Sequence, residues 1–361
     1  MTGILFRLLQ EDDIDHVNAF YNNYHKAGRT REKFLWEFNE CPHGKGIYIL
    51  ALNEDNGAII GIQAGIPIIF INANGEEILT VKSEDTLLDI DACAALGRRD
   101  VFKDLYTFFI EECRNRSASC IWGFTWVLRS LQRVGCDVPF RVGQKILVLK
   151  PSRSYRFLSK LNPKNTLWEK LMIILMVLVS RIKSVQTIFT IFDRTSLKMD
   201  EFILCNTILF KEISGNTQVV FIKQDEQFMR WRLKENPYKL DYQVLNFTEN
   251  ASLRAQVVFS LNQEGQAYIE QMLFAPGLKT REKRSMIKSV VKRLQRLNAS
   301  HIRFMVFDRN KINREESELL TCSGFLSIKP GMGFIFKNLD DQELIKPDQI
   351  LFSRLFTQGH A

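Results

Sequence analysis

A chain of 361 residues can build two cores of ordinary domain size, and its 45% hydrophobic and 25% charged content excludes a disordered or fibrous protein. The net charge of +8 favours anionic partners (a phosphate-bearing cofactor, nucleic acid or a membrane face) without choosing among them. Seven cysteines with no C-x-x-C pair argue against a zinc or disulfide framework and point to a reducing, cytoplasmic setting. The five histidines are scattered along the chain and suggest no metal site.

Residues 4–9 read as a first strand. Glu11, Asp12 and Asp13 then open an amphipathic helix toward Tyr24, because acids in a first turn suit the helix dipole. Residues 31–39 give a second short helix, stopped near Pro42. Residues 46–52 and 59–69 are β-rich runs with Asn56-Gly57 between them, a hairpin signal. Residues 83–135 read as one unit: strand, tight turn, basic helix, second strand, second helix. Residues 140–149 read as a last strand.

Residues 151–181 are basic and then helical, apolar on nearly all sides. The longest apolar run, 171–179, is far shorter than the roughly 18–20 residues of a membrane span. This stretch reads as an interdomain connector packed between the halves, with peripheral membrane contact through 167–182 as the alternative. The first residues, MTGILFRLLQEDDID, do not read as a secretory signal.

The pattern then restarts. Residues 227–234 are helical, and 242–247, 254–261 and 267–274 are strands. Residues 279–297 form a strongly basic helix, 301–307 a strand, 313–322 a helix, 333–337 a last strand, and 350–356 a short docking helix. FLWEFNECPH from Phe34 and MRWRLKENPY from Met229 align at a constant offset of 195, matching Trp36 with Trp231, Glu40 with Glu235 and Pro42 with Pro237. The repeat divides the chain into 1–150, a helical connector 151–199, and 200–361.

The order of elements in each half resembles the GNAT N-acetyltransferase superfamily, and the whole chain resembles two such domains in tandem. The resemblance implies a mixed α/β (α+β) chain, each half a mixed, mostly antiparallel twisted sheet flanked by helices. In that family a Gly-rich turn at a helix N-terminus holds the pyrophosphate of coenzyme A. The matching run here is Ala95-Leu96-Gly97-Arg98-Arg99-Asp100-Val101-Phe102. It assigns Gly97, Arg98, Arg99, Asp100, Val101 and Phe102 to acetyl-CoA, with a strand N–H near Asp91 or Ala92 on the thioester carbonyl. Asp100 stands where the family has its last Gly, so this residue either leaves room for the cofactor or caps the helix. The family's acid Tyr is replaced by Leu131 in one half and Leu320 in the other, while Asn313 keeps the family's Asn.

Glu84, Asp85 and Asp89 are the candidate general bases, as carboxylates on or beside the central strand. Trp122 and Trp126 are candidates to line an acceptor cleft, and Glu270 in the second half is either functional or paired with an Arg. The function so implied is acyl transfer from acetyl-CoA to an amine of a small molecule or cell-surface precursor, without a metal and with no role for nucleic acid. The alternatives are a non-catalytic binding protein of the same fold and a Fem-type aminoacyl transferase.

Overall fold

The computed structural model describes residues 3–160, 166–189, 198–200, 207–238, 240–328, 331–340 and 344–356. Its elements run β1 (Ile4–Leu8), a 3-10 turn (Glu11–Asp13), α1 (Ile14–His25), α2 (Arg31–Phe38), β2 (Ile47–Asn53), β3 (Ile59–Ile71) and β4 (Glu77–Leu88). Next come α3 (Ile90–Ala95), α4 (Val101–Asn115), β5 (Cys120–Thr125), α5 (Leu128–Arg133), β6 (Asp137–Arg141) and β7 (Gly143–Val148). Helices α6 (Pro151–Lys160) and α7 (Leu167–Phe189) follow, then β8 (Lys198–Asp200), α8 (Thr207–Thr217), β9 (Phe221–Ile222) and α9 (Glu226–Leu233). The chain continues with β10 (Asp241–Glu249), β11 (Ser252–Leu261), β12 (Gln266–Phe274), α10 (Thr280–Arg296) and β13 (His301–Val306). It closes with α11 (Lys311–Cys322), β14 (Leu326–Ile328), β15 (Gly333–Asn338) and a 3-10 turn (Arg354–Phe356).

Two compact units result. The first holds Met1–Arg141, Val220–Tyr238 and Met332–Pro347; the second holds Val142–Val219, Lys239–Gly331 and Asp348–Ala361. In the first the strand order is β1-β2-β3-β4-β5-β15-β6, with β9 added beside β3. In the second it is β14-β7-β13-β12-β11-β10-β8. Each sheet contains one parallel pair, β4 with β5 and β12 with β13, among antiparallel neighbours. Apolar residues four apart give each sheet its covering helix: Val101, Leu105, Phe109 and Cys113 of α4 bury against Ile49, Val81 and Ile121. In the second unit Met286, Val290 and Leu294 of α10 cover Val257, Ile302 and Phe304 in the same way.

The 140–149 run is two strands and not one. Phe140 in β6 pairs with β15 of the first sheet, whereas β7 pairs with β13 and β14 of the second. The last strand of the sequence, β15, therefore completes the first unit, and β7 from the first half completes the second. The segments 220–238 and 332–347 accordingly fold with the first unit, across the boundaries that the repeat alone draws. Alternating apolar residues specify a strand but carry no record of its partner.

The restart of the pattern is visible in detail. Helices α2 and α9 lie 195 residues apart end to end, and their caps match: Thr30 accepts from the N–H of Lys33, and Asp225 from that of Phe228. Trp36 and Trp231 stack with ring centroids 4.8 Å apart. Each indole N–H donates to the other's backbone carbonyl, at 3.1 and 2.9 Å. His43 stacks on Phe228, while Lys33 lies over Tyr238, and these two contacts are each other's equivalents under the same offset.

Candidate active site

Parallel strands β4 and β5 pair only at Val81–Ile121 and Lys82–Trp122. The absence of a side chain at Gly123 keeps them close one step further, since a Cβ there would meet the Ser83 carbonyl at 2.9 Å. Beyond that point β4 runs on to Leu88 and β5 to Thr125 without pairing, so the edge of β4 that faced β5 is released. A bulge marks the place: Asp85 and Thr86 together oppose Gln63 of β3, and Asp85 takes a left-handed φ of 46°. Gln63 stitches the bulge, donating to the Ser83 hydroxyl at 3.0 Å and accepting from Thr86 Oγ1 at 2.6 Å.

Around the bulge lies a buried set of charges. The guanidinium of Arg29 pairs with Asp85, donates to Asn18 at 2.8 Å and lies 3.7 Å from the centre of the Tyr21 ring. The Tyr48 hydroxyl donates to Asp85 at 2.9 Å. Lys82 is buried and pairs with the half-exposed Glu84, two residues on and on the same face of β4. Burial holds the Lys82 ammonium below its ordinary range, reinforced by the charge of Arg232. Burial also raises Glu37, whose carboxylate accepts from the Tyr238 hydroxyl at 3.3 Å.

The three carboxylates named from the sequence thus have different surroundings. Asp85 is committed to Arg29 and Tyr48, and Glu84 to Lys82. Asp89 caps α3, accepting from the N–H of Ala92 at 2.9 Å. This corrects the expectation of a strand donor near Asp91 or Ala92: both lie in the first turn of α3, and the Ala92 N–H is already taken. Trp122 is likewise corrected as a cleft residue. It is fully buried among Phe70, Phe124 and Phe334, and its indole donates to Thr80 Oγ1 at 2.9 Å. Trp126, just past β5, is 67% exposed.

The turn after α3 brings the remaining cofactor candidates together. Gly97 has a φ of 66° and closes α3, its N–H donating to the Ala94 carbonyl at 2.9 Å. Arg98 pairs with Asp104 at 3.1 Å, and Arg99 and Asp100 are exposed. Asp100 stands at the N-cap position of α4 but its side chain makes no capping bond, so it does not close the helix end. Val101 is buried under the sheet and Phe102 packs beside it. The first turn of α4 therefore offers its N–H groups and positive dipole end next to Arg98 and Arg99, an arrangement that suits phosphate.

The second unit has the same architecture with a different filling. Strands β12 and β13 pair as far as Ile269–Phe304, and Glu270 is the bulged residue that follows. Glu270 is buried, accepts from Ser260 Oγ and is paired with Arg354 of the C-terminal tail. The tail carbonyls of Ile350 and Phe352 accept from the side chains of Asn310 and Asn313, at 2.8 and 3.2 Å. Phe352 stacks on Phe307 just past β13, and Arg354 lies over Tyr268. Where β12 and β13 part, the chain has laid its own tail.

Sequence reasoning missed Arg29, Tyr48 and Lys82, and it named the docking tail at 350–356 without its partners Glu270, Asn310 and Asn313. Only Lys82 had a signal, a Lys two residues from Glu84 in a β-rich run; Arg29 sits in a loop with no pattern around it.

No family model matches the sequence, and no curated protein matches it. Solved structures do. A probable N-acyltransferase from Enterococcus faecalis aligns with a TM-score of 0.61 at 7% identity, over 94% of this chain and 73% of that one. N-myristoyltransferase of Saccharomyces cerevisiae with bound myristoyl-CoA gives 0.57 at 10% identity, over 93% of this chain and 83% of that one. A tandem GNAT protein from the clavulanic acid biosynthesis pathway gives 0.55 at 9% identity, over 94% of this chain and 100% of that one. Two mixed sheets flanked by helices, each with a parallel pair that parts at a bulge, give this chain the tandem GNAT fold.

Proposed function

We propose that the chain is an acyl-CoA-dependent N-acyltransferase whose first unit binds the donor. The observation that carries this reading is the contrast between the two units: β4 and β5 part near Ser83, which is hydrogen-bonded to Tyr106 in the second turn of α4, a helix whose N-cap side chain makes no bond, while the matching place in the second unit holds residues 350–356. The α4 N–H groups with Arg98 and Arg99 would hold a pyrophosphate, and the released edge of β4 offers backbone donors and acceptors to an amide-bearing arm. A bound acyl thioester supplies an activated carbonyl. Glu84 is the proton acceptor in this reading, because it is the partly exposed carboxylate on β4 and its partner Lys82 is held below its ordinary range by burial. The acyl group is proposed to be acetyl and the acceptor an amine on a small molecule or cell-surface precursor.

Calorimetric titration with acetyl-CoA tests this reading, with longer acyl-CoAs run beside it to read the chain length. Arg99→Ala is expected to weaken binding about ten-fold or more, the worth of a charge-assisted hydrogen bond. Glu84→Gln is expected to keep the affinity and lower turnover by about a hundred-fold. Absence of binding at millimolar acyl-CoA would instead favour a protein that keeps the fold without the chemistry. The apolar Leu131, buried where the family places its acid Tyr, points in that direction.

A further inference from the structure

Helix α7 is apolar around most of its circumference for two separate reasons. One stripe, Ile173 and Val177 with Ser180, packs on β7; the Ser180 hydroxyl accepts from the Val148 N–H at 2.8 Å. The opposite stripe faces solvent. Leu167, Leu171, Ile174, Leu175, Leu178 and Ile182 recur every three or four residues, with exposures from 43% to 76%, and Trp168 beside them is 71% exposed. More than four helical turns of exposed aliphatic side chains exceed what scattered surface apolar residues account for. Within its own unit, one side of this helix is covered and the other is not.

Charge accompanies the stripe. At about 100° per residue, Lys170 lies at one rim of the exposed arc and Lys183 at the other. Helix α6 packs against α7 and adds the exposed Arg153, Arg156 and Lys160. Residues 151–189 hold seven Lys and Arg (153, 156, 160, 164, 170, 181 and 183) against one acid, Glu169. Among the described residues no helix is long and apolar enough to cross a membrane. An exposed apolar stripe with basic rims, too short and too charged to span, has the physical form of a helix lying in the plane of an anionic bilayer surface. A protein groove would not require cations on both rims.

We propose that α6 and α7 form a surface that docks this protein on anionic phospholipid, with the 167–182 stripe entering the headgroup boundary and the flanking cations meeting the phosphates. The test is co-sedimentation of the full chain with vesicles of phosphatidylcholine alone and of phosphatidylcholine with phosphatidylglycerol, over a salt series. Binding only to the anionic vesicles, falling with salt, is expected. Leu171→Glu with Leu175→Glu should reduce the partition coefficient at least ten-fold, and Arg156→Gln about five-fold, the worth of one surface charge. These side chains are exposed, so an unchanged circular dichroism spectrum and melting curve is expected for each variant. Equal recovery of wild type and the double variant, or no binding to anionic vesicles at low salt, overturns the proposal. So does a concentration-dependent dimer in light scattering that the double variant abolishes, because the stripe would then be covered by a second copy.

Discussion

Asp85 carries a carboxylate into the interior of the first unit, and the residues around it show how that is sustained. Arg29 neutralises it, Tyr48 donates to it, and the rings of Tyr21 and Phe34 lie under the guanidinium. A buried pair so enclosed stabilises little by itself, but removing one partner costs about 3–5 kcal/mol. Glu316 in the second unit is buried in a different setting, with the charge of Lys283 acting on it more weakly than burial does. Burial pushes its pKa up to about 8, against a weaker opposing hydrogen bond from Asn313 at 3.0 Å. Its folded value lies above its unfolded value near 4.5, so the folded state retains the proton over that interval. The associated stability is complete below pH 4.5 and is lost as pH rises toward 8. Denaturant unfolding at pH 5, 6.5 and 8 should show the wild type losing about 1.4 kcal/mol per pH unit relative to Glu316→Gln. Parallel pH profiles for the two proteins would show that this carboxylate is not buried as described.

At the scale of elements, the sequence made the helices and central strands legible because each repeats apolar residues at its own period. Residues 101–113 alternate on the helical period, and 254–261 on the period of a strand. Three things were not legible. The bulge at Asp85 arises from pairing with β3, which no local pattern encodes. Helix α3 was hidden because its six residues make less than two turns. The capping state of α4 depended on where the Asp100 side chain points, and a residue type does not give that. The parting of β4 and β5, in contrast, hinges on one position that a sequence change can probe. Gly123→Ala places a methyl against the Ser83 backbone carbonyl at 2.9 Å, with Ser83 Cβ at 3.4 Å and the Ile335 side chain at 3.7 Å. Destabilisation of about 1–3 kcal/mol is expected, read as a lowered denaturation midpoint. A neutral outcome would mean that the strands diverge one residue earlier.

For the whole molecule, the decisive fact is that neither half of the sequence contains a complete sheet. Strand β15 stands between β5 and β6 in the first unit, and β7 between β13 and β14 in the second. A fragment of residues 1–150 should therefore lack a cooperative unfolding transition and bind a dye for exposed apolar surface, since β5 would be left as an open, apolar edge. Two-state unfolding of that fragment would show that β15 is dispensable. The indole pair at the repeat has a consequence of its own. Reciprocal bonds between a residue and its own equivalent are what an isologous two-fold dimer makes on its axis. Two identical chains would have to place the same side chain at both positions beside each indole. A single chain escapes that constraint, and here the residue after Trp36 is Glu37 while the residue after Trp231 is Arg232. Both are buried and both act on Lys82, with opposite sign. Covalent continuity has let a symmetric contact acquire polarity, an acid following one indole and a base the other.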